Sequence, residues 1–204
     1  MSYLRGFAPW IAFSLVSSFG WQWAALVALG ISGASLVINR RAGMGLDGQI
    51  LNIGMTTYFA ALTALAFAAP HSPLQSYDSP ISTAWLGLIA LTSLAIGQPF
   101  TLGIARRRVA PDIAGSPQFR HINTVITAIW TISFIFISAA GFACVALHGG
   151  IVARIAYQVV GFGLPAYFTR RYTARIRDRR AARPEAVATA AATTLPNLPG
   201  SFTN

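Results

Sequence analysis

"FTLGIARRRVAPDIAGSPQFRHINTVITAIW" occupies residues 100–130. Three consecutive arginines, Arg106, Arg107 and Arg108, stand between two long apolar runs, followed by prolines, a histidine and an asparagine. Such a cluster is either a nucleic-acid surface or the polar turn of a membrane hairpin. The rest of the chain decides for the turn. Of its 204 residues 54% are hydrophobic and only 10% charged, and the mean hydropathy is +0.56. A soluble domain carries about a quarter charged residues, and here the apolar residues come in blocks rather than stripes. An integral membrane protein follows, an all-α polytopic helix bundle.

A helix needs about 20 apolar residues to cross roughly 30 Å of hydrocarbon. Six segments qualify: 7–19, 21–38, 50–69, 81–104, 122–147 and 151–168. The first reaches only about 20 Å, so the count falls to five if it is re-entrant. It resembles a signal sequence, but Gly20-Trp21-Gln22-Trp23 offers no small-residue cleavage site, and the segment reads as retained.

All 15 basic residues are arginine, and the net charge is +10. In the six-span layout 14 of them fall on one side, and Arg154 alone falls toward the other. The positive-inside rule makes that side cytoplasmic, with both termini there. The arginines then set topology and meet anionic headgroups rather than nucleic acid. Trp21, Trp23, Tyr77 and Trp85 mark the outer interface; Tyr3, Trp10, Tyr167 and Tyr172 mark the inner one. Trp130 lies about two turns into its span, where it packs against other helices.

The transmembrane domain covers 1–168, a basic juxtamembrane segment 169–183, and a low-complexity, disordered tail 184–204. The outer loop 70–80, "PHSPLQSYDSP", reads as an ordered turn without a binding motif. Two hairpins look alike. "VINRRAGMGLDGQILNIGM" and "GIARRRVAPDIAGSPQFRHINTV" each carry an arginine cluster, an aspartate (Asp47, Asp112) and an asparagine (Asn52, Asn123). That pattern suits a parallel duplication, and equally suits any cytoplasmic turn.

Polar groups inside hydrocarbon are the default functional suspects. No Asp, Glu or Lys lies within a predicted span, which disfavours a proton-coupled pump. The histidines His71, His121 and His148 fall at span ends on both sides, so no metal site is expected, and the lone Cys144 excludes a disulfide within one chain. No cofactor and no catalytic constellation is read. The candidates that remain are of three kinds. Gln98 and Pro99 lie inside the fourth span, where the proline kinks the helix and frees a carbonyl for Gln98. Arg120, His121 and Asn123, with Arg106, Arg107 and Arg108, stand at the cytoplasmic mouth, placed to clamp a lipid phosphate or to anchor and cap the helix. Arg154 and Gln158 share a helix face at i,i+4 and are placed either to snorkel or to bind an anionic headgroup. Small residues recur in the second span (Ala24, Ala25, Ala28, Gly30, Gly33, Ala34) and in the sixth (Gly161, Gly163), a signal for close packing or self-association.

In order and spacing these pieces resemble the intracellular septation protein A family of small bacterial inner-membrane proteins (YciB/IspZ-like). The likeness is carried by "FAPWIAF", by the 34–67 hairpin, and most of all by Pro99, Pro117, Phe119, Asn123 and Trp130. The triple arginine, Phe119 where the family pattern has tryptophan, and the long tail depart from it. The resemblance implies a multi-pass, non-enzymatic protein of the bacterial cytoplasmic membrane, tied to envelope integrity and septation. Its partners would be lipids and other envelope or division proteins. A small permease or lipid transporter built from the paired hairpins is the alternative.

Overall fold

A computed structural model describes residues 2–106 and 109–194. Arg107 and Arg108, and residues 195–204 of the tail, lie outside the described residues. Eight helices occur among the described residues: α1 (Ser2–Val16), α2 (Trp21–Arg41), α3 (Ile50–Ala68), α4 (Asp78–Ala95), α5 (Phe100–Arg106), α6 (Pro111–Ala114), α7 (Pro117–Ala146) and α8 (Ile151–Thr194). Short 3-10 turns at Ser17–Phe19, Leu46–Gln49 and Pro73–Tyr77 join some of them. The all-α expectation holds.

Four helices are long and apolar enough to cross a membrane: Trp21–Arg41, Ile50–Ala68, Pro117–Ala146 and Ile151–Asp178. A fifth arises if α4 and α5 count as one broken span. The first apolar segment, Ala8–Phe19, stays below that length. Among the described residues the count is therefore four or five, which fits the five-span form of the expectation, without a full first crossing.

The fourth span differs most from expectation. Pro99 does not kink a continuous helix; α4 and α5 are separate and meet at 81°. The cause is a helix stop written before the proline. Gly97 takes φ +69, its N–H reaches the Leu94 carbonyl, and the Gln98 N–H reaches the Ser93 carbonyl. That 5→2 and 6→1 pair is a Schellman cap, which a left-handed residue makes and a following proline enforces. The same cap ends α2 at Gly43 (φ 77) and α7 at His148 (φ 52). At His148 a side chain occupies the conformation that glycine usually fills.

α7 starts at Pro117 rather than near 122. Ser116 caps it, its Oγ accepting from the Phe119 N–H at 3.2 Å, with Pro117 in the first turn. Asn123 therefore sits well inside the helix and is not its cap. α8 continues to Thr194, so the segment from 184, read as disordered, is helical as far as it is described. "EAVATAAATT" is rich in alanine, the strongest helix former.

The chain divides into two units, Met1–Pro165 and Ala166–Asn204. In the first, α2 packs on α1 and α3, and α4 packs on α7. One core cluster joins Trp21, Ala25 and Ala28 of α2 to Tyr58, Phe59, Leu62 and Ala66 of α3. A second joins Leu86 and Ala90 of α4 to Phe134 of α7. Trp10 of α1 packs against both. The second unit, taken by itself, is the helical stretch that carries Arg170, Arg171, Arg175 and Arg177.

The two similar hairpins each place a short helical turn, Leu46–Gln49 or Pro111–Ala114, just before a long helix. What leads into those turns differs: 21 residues of α2 in one, seven of α5 in the other. The likeness is confined to the turn and the start of the next helix.

Candidate functional sites at the two ends of the bundle

The first site is the joint between α4, α5 and α7. At the break the Ser93 hydroxyl, itself fully buried, donates to the Ala90 carbonyl and accepts from the Phe100 N–H at 3.2 Å. Gln98 was expected to satisfy a carbonyl freed by the proline; with the helix already stopped, the half-buried Gln98 contributes its backbone N–H to the cap. Pro99 is buried, and its carbonyl accepts from Leu102. Thr101 of α5 then ties to α7, with its Oγ1 3.0 Å from the Asn123 carbonyl and 2.8 Å from Thr127 Oγ1. Asn123 is 3% exposed, and its amide donates back to the Phe119 carbonyl at 2.8 Å.

A transport role would set Gln98, Asn123 and Trp130 around one cavity. The structure gives them separate duties. Asn123 spends its amide on its own helix and its carbonyl on Thr101. Trp130 is two turns further along α7, in an aromatic set with Phe134 (5.6 Å) and Phe162 of α8 (6.4 Å). Arg106, Pro117, Arg120 and His121 are exposed at the ends of α5 and α7, open to solvent or headgroups.

Sequence reasoning missed the most unusual polar group here. Gln49, in the turn before α3, is 0% exposed. Its Nε2 donates to the Met44 carbonyl at 2.7 Å, and its Oε1 has no partner. A buried acceptor without a donor costs about 1–3 kcal/mol. α5 packs on this turn so closely that Gly103 lies against the Gly48 backbone. The sequence signal was faint: a glutamine two residues past Asp47 in a loop reads as solvent-facing.

The second site lies at the opposite end of α4 and α7. The Ser138 hydroxyl donates to the Pro80 carbonyl at 3.0 Å, and Gln158 Nε2 of α8 approaches Ser79 Oγ at 3.4 Å. Arg154, one turn before Gln158, is exposed, and its charge reaches Asp78. Asp78 opens α4 half-buried, one oxygen accepting from the Ser79 N–H. The "SYDSPIS" stretch that reads as a plain turn therefore delivers a carboxylate to the edge of the spans. The signal was present: an aspartate two residues before a proline is how many helices begin.

Two tryptophans read as outer interface markers serve packing instead. Trp21 is 2% exposed and donates to the Pro70 carbonyl at 2.9 Å. Half-buried Trp85 donates to the Gly54 carbonyl at 2.9 Å. Trp23 remains 53% exposed, against Phe67, as an interface residue would be.

No protein-family model matches the chain, and no curated protein or solved structure matches it either.

Proposed function

We propose that this is a multi-pass protein of the bacterial cytoplasmic membrane, serving envelope biogenesis or septation through lipid and protein contacts rather than catalysis. The arginine-bearing turns face the cytoplasm in this reading, as the positive-inside rule requires. Both termini are cytoplasmic if α1 crosses. The carrying observation is α8. It buries 11% of its most apolar stretch inside the chain, against 28% for each of α2, α3 and α7. Its Ile151, Val152, Val159 and Leu164 are all more than half exposed. A span so little used by its own fold is free to meet other membrane components. α2 adds support, because its small residues split by face: Ala24, Ala25, Ala28 and Ser32 are buried, while Gly30 and Ala34 look outward. The resemblance to the septation protein A family points the same way.

The test is a deletion strain scored for division and envelope defects, with a photo-crosslinking residue at Val152 or Val159 in the complementing copy. Discrete membrane-protein or lipid adducts, with a division or envelope phenotype, are expected. A strain without either phenotype, and a probe that captures nothing, sinks the reading.

A small permease is the second reading. One observation favours it: a span broken at Gly97–Pro99 beside a buried, unpartnered Gln49 acceptor, since discontinuous helices line the sites of many transporters. Uptake or efflux lost on deletion and restored by the chain would support it.

A further inference from the structure

Five acidic residues occur in the chain: Asp47, Asp78, Asp112, Asp178 and Glu185. Asp78 alone belongs to the end of the bundle formed by the α3–α4 and α7–α8 connections. Arg154 is the single arginine of that same end. The fold brings the two together. Gln158 reaches Ser79, the neighbour of Asp78, and Arg154 stands one turn away on the same face of α8. The two charges act on each other without closing an ion pair within 4 Å. Tyr58 of α3 is buried nearby, and the Ser82 hydroxyl is already spent on the Ser79 carbonyl at 2.8 Å. Beside them α8 exposes Val152, Ile155 and Val159.

A fixed anion and a fixed cation, held apart at a membrane boundary beside an apolar helix face, complement a zwitterion that carries hydrocarbon chains. We propose that Asp78, Arg154 and Gln158 form a headgroup site for a phospholipid with a primary amine, the ammonium on Asp78 and the phosphate on Arg154 and Gln158. The inference rests on the membrane-lipid half of the proposed function. It also selects among headgroups. An anionic phosphatidylglycerol gains Arg154 but meets the Asp78 charge. A choline headgroup has no N–H to give a half-buried carboxylate. An ethanolamine headgroup satisfies both charges with charge-assisted hydrogen bonds.

The experiment uses the full chain in detergent micelles. Phosphatidylethanolamine, phosphatidylcholine and phosphatidylglycerol of identical acyl chains are added, and bound lipid is counted by native mass spectrometry. Ethanolamine lipid should be retained about tenfold over the other two, the ratio that one charge-assisted contact supports. Asp78→Asn should erase its preference over phosphatidylglycerol, and Arg154→Gln should lower retention of both. Excess soluble phosphoethanolamine should displace little of it. Equal retention of ethanolamine and choline lipid overturns the site, as does an unchanged preference in Asp78→Asn. Displacement by phosphoethanolamine overturns the lipid assignment in favour of a soluble zwitterion. If Asp78→Asn does not fold, Arg154→Gln, at an exposed position, carries the test, and unchanged retention there overturns the site. Any of these failures leaves the deletion phenotype of the proposed function untouched, so the two can be told apart.

Discussion

Gly103 of α5 stands against Gly48 so closely that a Cβ on Gly103 would lie 2.9 Å from the Gly48 carbonyl oxygen. Two glycines from different turns meet backbone to backbone, and this seats the short helix α5 on the turn that precedes α3. Because the obstacle is main chain, no rotamer change relieves it. Gly103→Ala should destabilise the protein by about 1–3 kcal/mol, the usual range for forcing extra volume into a packed site. Gly30 has nothing within 4 Å of its would-be Cβ. Gly30→Ala should be neutral or stabilise by up to about 1 kcal/mol through helix propensity. Reversible unfolding of both variants in the same detergent checks the contrast.

Two caps should respond with opposite signs. Gly97 holds φ +69 at the end of α4 and His148 holds φ 52 at the end of α7. Gly97→Ala places a Cβ in the left-handed region and should cost about 1–2 kcal/mol. His148→Gly relieves the same strain but frees the unfolded chain, so a gain of at most about 1 kcal/mol is expected. Melting temperatures that move the same way in both variants would contradict the cap assignment.

Gln49→Met separates the two halves of one amide. The change removes the unpartnered Oε1, which costs about 1–3 kcal/mol, and also the Nε2 bond to Met44, worth about 1 kcal/mol. The sum should fall between neutral and stabilising. Gln49→Ala leaves a cavity as well and should destabilise by about 2–4 kcal/mol. A Gln49→Met variant as unstable as Gln49→Ala would mean that Oε1 has a donor that methionine cannot replace.

Much of this was legible beforehand. Blocks of apolar residues announce helices because the bilayer offers no other way to satisfy a backbone, and α2, α3 and α8 begin where the blocks begin. The α4 break was legible too, in "GQP" at 97–99, where a glycine two residues before a proline is a helix stop. Reading Pro99 alone gave a kink. Side-chain duties were harder to see. Trp21 belongs equally well at an interface or in a core until α1 and α3 are placed around it. Asp78 and Arg154 are 76 residues apart, and only the antiparallel run of α7 between their helices makes them neighbours.

Topology is open to direct labelling. In a Cys144→Ala background, cysteines replacing exposed His71 and exposed Gln118 flank the α4–α5 pair. A membrane-impermeant maleimide should label position 71 from outside, and position 118 only after permeabilisation. Labelling of both from one side would show that α4 and α5 form a re-entrant loop. Neutralising Arg106, Arg107 and Arg108 should mix the orientations, because these arginines dominate the cytoplasmic bias of their hairpin. Unchanged sidedness in that variant, with a binding activity lost, would assign them to a ligand instead.

The bond from Ser138 to Pro80 also acts as a depth gauge. Equal steps along two antiparallel helices from that bond bring Ala95 opposite Asn123, where Thr101 already reaches across. The 18 residues of α4 measure about 27 Å, close to the thickness of a hydrocarbon layer. The 30 residues of α7 measure about 45 Å and so overshoot it by several turns. In the proposed orientation α5 turns aside where the oily layer ends, and the first turns of α7 stand among the headgroups. A bilayer thicker or thinner than α4 would then meet its mismatch at the Gly97 corner, where the helix breaks, rather than along a continuous span.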